Sequence, residues 1–402
     1  MKKIILGIII TIIGILILFK DNTKLIGVYL DNEYSTNIPD KNSDYVIDKI
    51  ECDTDAKAIW DNSLWTINIS SMNKKTKCNL YFRKDKITKD IINSLDTTGK
   101  CPTINSNGTV NITTAESVNS LVCSAPDNYG TSYYFRGNVV NNYVYFGGYY
   151  WRIIRINGDN TIRIIYDGTK PHQNNEASDD KIIGKSAFND SYNDNAYVGY
   201  MYGQIGATNY NDTHTNLNDS TIKKYLDTWY QQNLKDYETY IGDSIFCNDR
   251  QTSYSGYGTI ASHYRWVGAY GNPTLKCSLY NDSFTVNKNT IGNGSLSYGI
   301  SLITADEAEL AGIYYNVENL NSYLYTGSYY ATISPIGFND VSSDNNYRAL
   351  TSYIRDNSMI NWADSIVKYG VAYQYGVKPV INLKAGSLKS GNGSSSSPYL
   401  VG

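Results

Sequence analysis

Cysteine is the residue type whose number and spacing imply the most definite chemistry in this sequence. The 402-residue chain contains six cysteines, which allow fifteen pairings. Their spacing favours bonds between neighbours, each closing a loop of roughly 20–30 residues and contributing about 3 kcal/mol. No Cys-x-x-Cys pair occurs, so a zinc site is not favoured. We therefore predict three structural disulfides: Cys52–Cys78, Cys101–Cys123 and Cys247–Cys277.

The three histidines are further candidates for catalytic residues or metal ligands. His172, His214 and His263 stand about 40 to 50 residues apart, which is not the close spacing typical of metal ligands. His263 is the most suggestive, because it lies in an aromatic loop beside Tyr264 and Trp266. A packed or solvated side chain is the simpler interpretation for it. We predict neither a metal site nor a cofactor.

Two further segments, one with paired carboxylates and one rich in Asn and Asp, are candidates for a catalytic site and a calcium site. Asp306 and Glu307 lie in the first turn of a predicted helix, where carboxylates stabilise the positive end of the helix dipole, so capping is the simpler explanation. The Asn/Asp-rich run 189–195 could bind Ca²⁺ through oxygen ligands or form an ordinary Asx-turn loop. It lacks the spacing and the glycine of an EF-hand loop. No catalytic residue is predicted.

The N-terminal segment predicts where the rest of the chain is located. Residues 4–19 form an uncharged, predominantly apolar run that follows Lys2 and Lys3 and precedes Lys20. As a helix they would span roughly 24 Å, close to a ~30 Å bilayer core. A cleaved signal peptide is the alternative, but no small-x-small cleavage site follows. We predict a transmembrane anchor over residues 1–24, with a cytoplasmic N-terminus and the bulk of a single-pass cell-membrane protein outside.

Composition narrows the classes of partner. The net charge of −3 argues against nucleic acid, and no Gly-rich phosphate loop joins a strand to a helix, which argues against nucleotides. The 41% hydrophobic content is enough for a real core. Tyrosine is unusually abundant, at 39 residues against 8 phenylalanines. Part of this excess fits an AT-rich genome, and the rest fits a β-rich surface with wet tyrosine hydroxyls.

Residues 25–86 are expected to form a small β domain. Segments 45–52, 64–72 and 77–82 alternate apolar with polar residues, as half-buried strands do. Both Cys52 and Cys78 fall on apolar faces, which supports their pairing. A connector with its own disulfide, residues 87–124, is predicted to follow. The fold class expected for the small domain is β-sandwich-like.

Residues 125–402 are expected to form a larger α+β domain. Strands at 149–156 and 161–166 flank an Asn-Gly-Asp-Asn turn. A helix is predicted over 218–234 with an N-cap at Asp219 or Ser220. A second helix opens at Thr304, where Thr304 and Glu307 can form a capping box. Strands at 377–383 and 399–401 are expected to close the domain.

Several stretches of the large domain resemble one family. GGYYWRIIRINGDNTIRIIYDG, DSTIKKYLDTWYQQNL, GISLITADEAELAG and YLYTGSYYATISP with GVKPVINL follow one another in order. Together they resemble uncharacterised bacterial surface proteins whose large domain is similar to C-type-lectin-like folds of the formylglycine-generating-enzyme type. The block IECDTDAKAIWDNSLWTINISSMNKKTKCNLYF resembles the small disulfide-bearing domain often found ahead of it. These motifs indicate architecture and not chemistry.

The resemblance implies a ligand face formed by the late loops. The sequence lacks the calcium-binding loop motifs of true C-type lectins, and Trp362-Ala363-Asp364 is only a partial match. Aromatic rings stack on sugars or peptides, and asparagine amides both donate and accept hydrogen bonds. The residues expected at this face are Tyr329, Tyr330, Asn339, Asp340, Asn345, Asn346 and Tyr347.

These observations favour a binding protein. We expect a membrane-anchored, extracytoplasmic, non-catalytic module that binds a glycan, a protein or a host surface. An enzyme acting on cell-wall or glycan material is one alternative, and it would require carboxylates, or a thiol with a base, converging in a deep pocket. A structural envelope component is the other alternative, and a flat apolar patch without a pocket would favour it.

Overall fold

A computed structural model shows a mostly β chain. It describes residues 25–41, 43–61, 64–70, 76–112, 120–251, 272–340, 347–361 and 370–402. Strands account for 38% of the residues and helices for 15%. The expected α+β class is therefore wrong, because the helices that the sequence predicts are real but short. The chain divides into two compact units, residues 1–86 and 87–402.

The expected membrane-spanning helix also has to be corrected. In the described ranges, no helix is long and apolar enough to cross a membrane. A span needs about 20 apolar residues. The longest helix in those ranges, Thr221–Asn233, has 13 residues and contains two lysines. The single-pass topology and the cell-membrane localisation are therefore corrected as well. The apolar run 4–19, on which they rested, lies outside the described residues.

The small unit is built on a four-stranded sheet faced by a hairpin. The sheet order is β2-β1-β6-β3, in which β1 and β6 are parallel. The hairpin β4–β5 packs Trp60 and Trp65 edge-on or tilted against Phe82 of the sheet. The strands are β1 (Leu25–Leu30), β2 (Glu33–Ser35), β3 (Tyr45–Cys52), β4 (Lys57–Asp61), β5 (Thr66–Ser70) and β6 (Lys77–Lys84).

The large unit contains a nine-stranded and a five-stranded sheet. The first has the order β19-β24-β13-β12-β11-β26-β25, with β10 and β9 joined through β12, and the second the order β14-β23-β20-β21-β22. The strands are β7 (Thr103–Ile104), β8 (Val110–Asn111), β9 (Leu121–Pro126), β10 (Thr131–Arg136), β11 (Tyr143–Phe146), β12 (Tyr149–Ile156), β13 (Ile162–Gly168), β14 (Lys185–Ala187), β15 (Met201–Tyr202), β16 (Asn218–Asp219), β17 (Phe246–Cys247), β18 (Ser283–Phe284), β19 (Ile300–Ser301), β20 (Tyr330–Asp340), β21 (Tyr347–Ile354), β22 (Ile360–Asn361), β23 (Gln374–Gly376), β24 (Val380–Leu383), β25 (Leu388–Ser390) and β26 (Tyr399–Val401).

The helices of the described residues are α1 (Lys86–Asn93), α2 (Tyr210–Thr213), α3 (Thr221–Asn233) and α4 (Ala305–Leu310). Ser220 caps α3 by accepting a hydrogen bond from the backbone N–H of Lys223, which confirms one of the two predicted N-caps. The α3 residues Ile222, Leu226 and Tyr230 are buried in the core. Strand β13 is buried along its whole length, so it lies at the centre of the large unit.

The predicted disulfides are confirmed. The bonded pairs are Cys52–Cys78, Cys101–Cys123 and Cys247–Cys277, and no cysteine of the described residues is free. Cys52 and Cys78 are directly opposite each other on β3 and β6. This bond therefore fixes the register of the two strands in the small unit.

Candidate functional site

The outer face of the small unit's sheet carries a row of aligned side chains. Tyr34 of β2 is opposite Tyr29 of β1, Tyr29 is beside Tyr81 of β6, and Tyr81 is opposite Lys49 of β3. Cross-strand partners project to the same face of a sheet. These four residues therefore form one continuous line across four strands, which we call the tyrosine row.

Strand alternation determines which way the tyrosine row faces. Val28, Leu80 and Phe82, the sequence neighbours of Tyr29 and Tyr81, are buried in the core of the small unit. Successive side chains of a strand point to opposite faces, so the row faces away from that core. The apolar interior and the tyrosine row are thus two sides of the same sheet.

The rings of the tyrosine row contact one another in sequence. Tyr29 and Tyr81 are stacked, with centroids 4.8 Å apart and planes 18° apart. Tyr34 meets Tyr29 edge-on at 5.9 Å, and the ammonium of Lys49 lies 4.5 Å from the centre of the Tyr81 ring. Tyr29 and Tyr81 are half-buried by these contacts. Tyr34, at the end of the row, leaves 69% of its surface exposed.

A carboxylate completes the other end of the row. Lys49 Nζ donates a 2.7 Å hydrogen bond to Glu51 Oε1, and the two side chains are 49% and 52% exposed. This bond and, to a smaller extent, a hydrogen bond from the Tyr81 hydroxyl lower the pKa of Glu51. The same bond to Glu51 raises the pKa of Lys49. Both groups are therefore charged at neutral pH, and the pair adds no net charge to the surface.

The late-loop face predicted from the sequence is not assembled in one place. Tyr329 precedes β20 and Tyr330 begins it, whereas Asn339 and Asp340 lie at its end, opposite Arg348 and Tyr347. These two ends pair with the opposite ends of the eight-residue strand β21, so they are roughly 23 Å apart. The side chains of Asn339 and Asp340, and all of Asn345 and Asn346, lie outside the described residues.

The three tyrosines of that predicted face have different environments. Tyr330 is fully buried, and its hydroxyl donates to the carbonyl of Leu324 at 2.9 Å, so it has no surface for a ligand. Tyr329 is half-buried beside Tyr353, with ring centres 5.8 Å apart. Tyr347 is 60% exposed and lies against Phe338. Among these three tyrosines, Tyr347 has the most open surface.

His172 and His214 both have structural roles. The ring nitrogens of the fully buried His172 lie 2.8 Å from Glu176 Oε1 and 2.9 Å from Asp180 Oδ2. Burial, assisted by the charge of Arg250, lowers the pKa of His214 to about 4, so this ring is neutral in the fold. His214 Nδ1 lies 2.8 Å from Thr213 Oγ1 and 2.9 Å from the carbonyl oxygen of Tyr210, and both Thr213 and His214 are buried away from any substrate. His263, Tyr264 and Trp266, like Trp362 to Asp364, lie outside the described residues.

Glu307 confirms the predicted capping box and has further partners. Thr304 Oγ1 accepts from the Glu307 N–H at 2.9 Å, while Glu307 Oε2 accepts from the Thr304 N–H at 3.1 Å. Glu307 Oε1 also accepts from Arg155 and Arg163. Burial alone would raise the pKa of Glu307, but the two arginines outweigh it and lower the pKa to about 2. The carboxylate therefore stays ionised and structural.

The cavity beside Glu307 is too small for a small-molecule substrate. A cavity of about 30 Å³, with room for roughly two waters, is lined by Glu307 and Cys247 among other residues. Ligand pockets typically measure about 300–1,000 Å³. An open recess of about 410 Å³ lies at a turn near Asn105, whose amide donates to Thr109 and Asn272 at 2.9 Å each. The Asn105 amide therefore bonds within its own turn and also to the distant segment at Asn272.

The Asn/Asp-rich run 189–195 behaves as a hydrogen-bonded loop. Asn189 Nδ2 donates to the carbonyl of Tyr197 at 2.9 Å, and Asp194 accepts from the backbone N–H groups of Ala196 and Gly206. These bonds fit the Asx-turn alternative. Across the described ranges, no group of three or more His, Cys, Asp or Glu residues is arranged to hold a metal ion.

The sequence interpretation missed the tyrosine row as a site. The alternation of 77–82 already indicated that Tyr81 is on the polar face of its strand. Its alignment with Tyr29 and Tyr34 depends on a parallel pairing of β1 with β6, which are about 50 residues apart in sequence. No local pattern specifies such a pairing, so the row becomes visible only in three dimensions.

Comparisons with known proteins add no relative. No family profile, curated protein or solved structure matches the chain. The resemblance to lectin-like surface proteins thus remains a prediction.

Proposed function

We propose that the protein is a non-catalytic binding module whose contact surface is the tyrosine row of the small unit. The observation that carries this proposal is the alignment of Tyr34, Tyr29, Tyr81 and Lys49 on the outward face of one sheet. Tyrosine supplies a large, rigid contact area at low conformational-entropy cost, together with a hydroxyl for hydrogen bonding. A surface built this way suits recognition of a glycan or a protein.

Two features of the structure support binding over catalysis. The candidate catalytic groups His172, His214, Glu307 and Asp306 are buried, and their hydrogen bonds hold loops and helix ends. The row, in contrast, lies at the surface of a sheet whose strands β3 and β6 are cross-linked by the disulfide Cys52–Cys78. A preorganised surface loses less conformational entropy when it binds.

A binding screen with matched tyrosine variants tests the proposal. The full chain is screened against an array of immobilised glycans and a panel of purified cell-surface proteins, alongside Tyr34→Ala and Tyr145→Ala. Tyr145 is 40% exposed but belongs to the large unit, so it controls for loss of any exposed tyrosine. We expect at least one interaction that is lost with Tyr34→Ala and kept with Tyr145→Ala. Interactions that survive Tyr34→Ala unchanged, or a screen without any interaction, would overturn the proposal.

A further inference from the structure

We propose that the ligand of the tyrosine row is a neutral saccharide chain, an assignment that rests on the proposed binding function. One sugar ring would lie on the open ring of Tyr34, and its neighbours would extend along the row towards Lys49 and Glu51. Three observations carry this assignment: the size of the exposed surface, its balance of charge, and its pattern of hydrogen-bonding groups.

The exposed area of the row is small. Tyr34 is 69% exposed, Lys49 and Glu51 about half, and Tyr29 and Tyr81 less than that. At roughly 200 Å² for each fully exposed side chain, the row offers less than about 500 Å². Stable protein–protein interfaces bury about 800 Å² on each partner. The row alone therefore fits a short oligosaccharide better than a protein surface.

The charges at the row cancel. Lys49 and Glu51 form one pair at 2.7 Å, and the adjacent Arg83 and Asp48 form another at 2.9 Å. A surface with paired charges exerts little long-range attraction on an ionic ligand. Sulfated or carboxylated glycans would need unpaired cations, and a cationic peptide would need unpaired carboxylates. An uncharged ligand needs no unpaired charge on the protein, so it fits this surface best.

The polar groups of the row match a set of hydroxyls. The Lys49 ammonium has three N–H donors, of which Glu51 and the Tyr81 ring use part, and the exposed Glu51 carboxylate can accept further bonds. A sugar hydroxyl both donates and accepts, so it can bridge the two. At the other end, Tyr34 offers its open ring to the C–H face of a sugar. Apolar stacking and hydroxyl recognition therefore lie along one line of about 14 Å, three strand spacings long.

Titration with saccharides of defined charge tests the assignment. The full chain is titrated with neutral glucose, N-acetylglucosamine and mannose oligomers of increasing length, and with sulfated and carboxylated glycans. We expect saturable binding of at least one neutral series, with affinity changing less than about twofold between low and high salt. Tyr34→Ala should weaken it about tenfold, whereas Tyr34→Phe, which keeps the ring, should stay within about threefold. Tyr145→Ala is the control.

The outcomes separate this inference from the function on which it rests. Binding confined to charged glycans, or neutral binding unaffected by Tyr34→Ala, overturns the neutral-saccharide assignment. A protein that binds the wild type but not Tyr34→Ala, with no saccharide bound, also overturns it while leaving the binding module in place. Absence of any Tyr34-dependent binding overturns both. Because Tyr34 is 69% exposed, its variants are expected to fold, and circular dichroism verifies this.

Discussion

Arg163 of β13 donates a 2.6 Å hydrogen bond to Glu307 in the first turn of α4, although the two residues are 144 positions apart. Arg155 of β12 donates to the same oxygen at 2.9 Å. The carboxylate that closes the capping box of the helix therefore also anchors that helix to the central strands. All three side chains are buried, so the cluster is part of the core.

Glu307→Gln should destabilise the large unit strongly. It removes the carboxylate charge and leaves two buried arginines undercompensated, which we expect to cost about 3–5 kcal/mol in the free energy of unfolding. Urea-induced unfolding, followed by tryptophan fluorescence, measures this loss. Glu238→Gln is the matched control, because Glu238 pairs with Lys235 at the surface and should cost under about 1 kcal/mol. Equal losses in both variants would refute the anchoring role of Glu307.

The same cluster predicts an acid transition. The pKa of Glu307 is about 2 in the fold, below the ~4.3 of an unfolded glutamate. Its stabilising contribution is therefore complete above about pH 4.3 and is lost as the pH falls towards 2. In Glu307→Gln this component of the acid dependence should be missing. A variant with the acid dependence of the wild type would contradict this interpretation.

His214 should add a second acid-sensitive component at higher pH. Its pKa of about 4 in the fold lies below the ~6.5 of an unfolded histidine. The unfolded chain therefore binds more protons between pH 6.5 and 4, and the free energy of unfolding falls as the pH is lowered through that window. NMR titration of the imidazole signals, assigned with His214→Gln, should show one histidine titrating near pH 4. A His214 signal titrating near 6.5 would show that the ring is not buried.

Lys378 should give a pH dependence of stability on the alkaline side. Burial lowers its pKa to about 7, despite the neighbouring carboxylate of Asp167. Between about pH 7 and 10.4 the unfolded chain binds more protons, so the free energy of unfolding rises with pH. Lys378→Met should flatten this rise, since Arg152 and Lys181 remain near Asp167. Lys235→Met, at an exposed position, should leave the profile unchanged. An identical profile for wild type and Lys378→Met would contradict the prediction.

The disulfide of the small unit should support binding as well as stability. Replacing Cys52 and Cys78 by alanine removes a bond that closes 26 residues, at a cost of about 3 kcal/mol to that unit. Because the pair aligns β3 with β6, we also expect weaker ligand binding at the row. Thermal unfolding monitored with the Trp60 and Trp65 signals measures the first effect. Removing Cys101–Cys123 in the large unit is the control, and it should leave binding at the row intact.

Local patterns predicted the elements that depend on local physics. Alternation located β3 and the Asn-Gly-Asp-Asn turn signal located β12, both with their observed bounds, and the Thr304–Glu307 spacing identified the capping box. Neighbour spacing identified the three disulfides. In each case the deciding contacts lie within a strand, a helix turn or a short loop, where sequence and structure are closely coupled.

Long-range pairing explains what the sequence could not reveal. The arginine partners of Glu307 lie 144 and 152 residues away, so the sequence indicated only the cap. Tyr329 and Tyr330 are adjacent and equivalent in sequence, yet Tyr330 is fully buried while Tyr329 is half-buried, because strand register decides which one faces the core. The tyrosine row depends likewise on four strands meeting in one register. The helix patterns in the sequence correspond to short helices, so the expected α+β class overstated the helical content of the chain.

The most direct test of the account is to observe the Tyr34 ring while a ligand binds. Ring-labelled tyrosine gives NMR signals that can be assigned by their loss in Tyr34→Phe and Tyr145→Phe. During titration with a bound neutral oligosaccharide, the Tyr34 signals should shift saturably, with smaller shifts for Tyr29 and Tyr81 and none for Tyr145. Saturable binding that shifts Tyr145 or Tyr347 and leaves Tyr34 unchanged would place the site elsewhere and contradict the account.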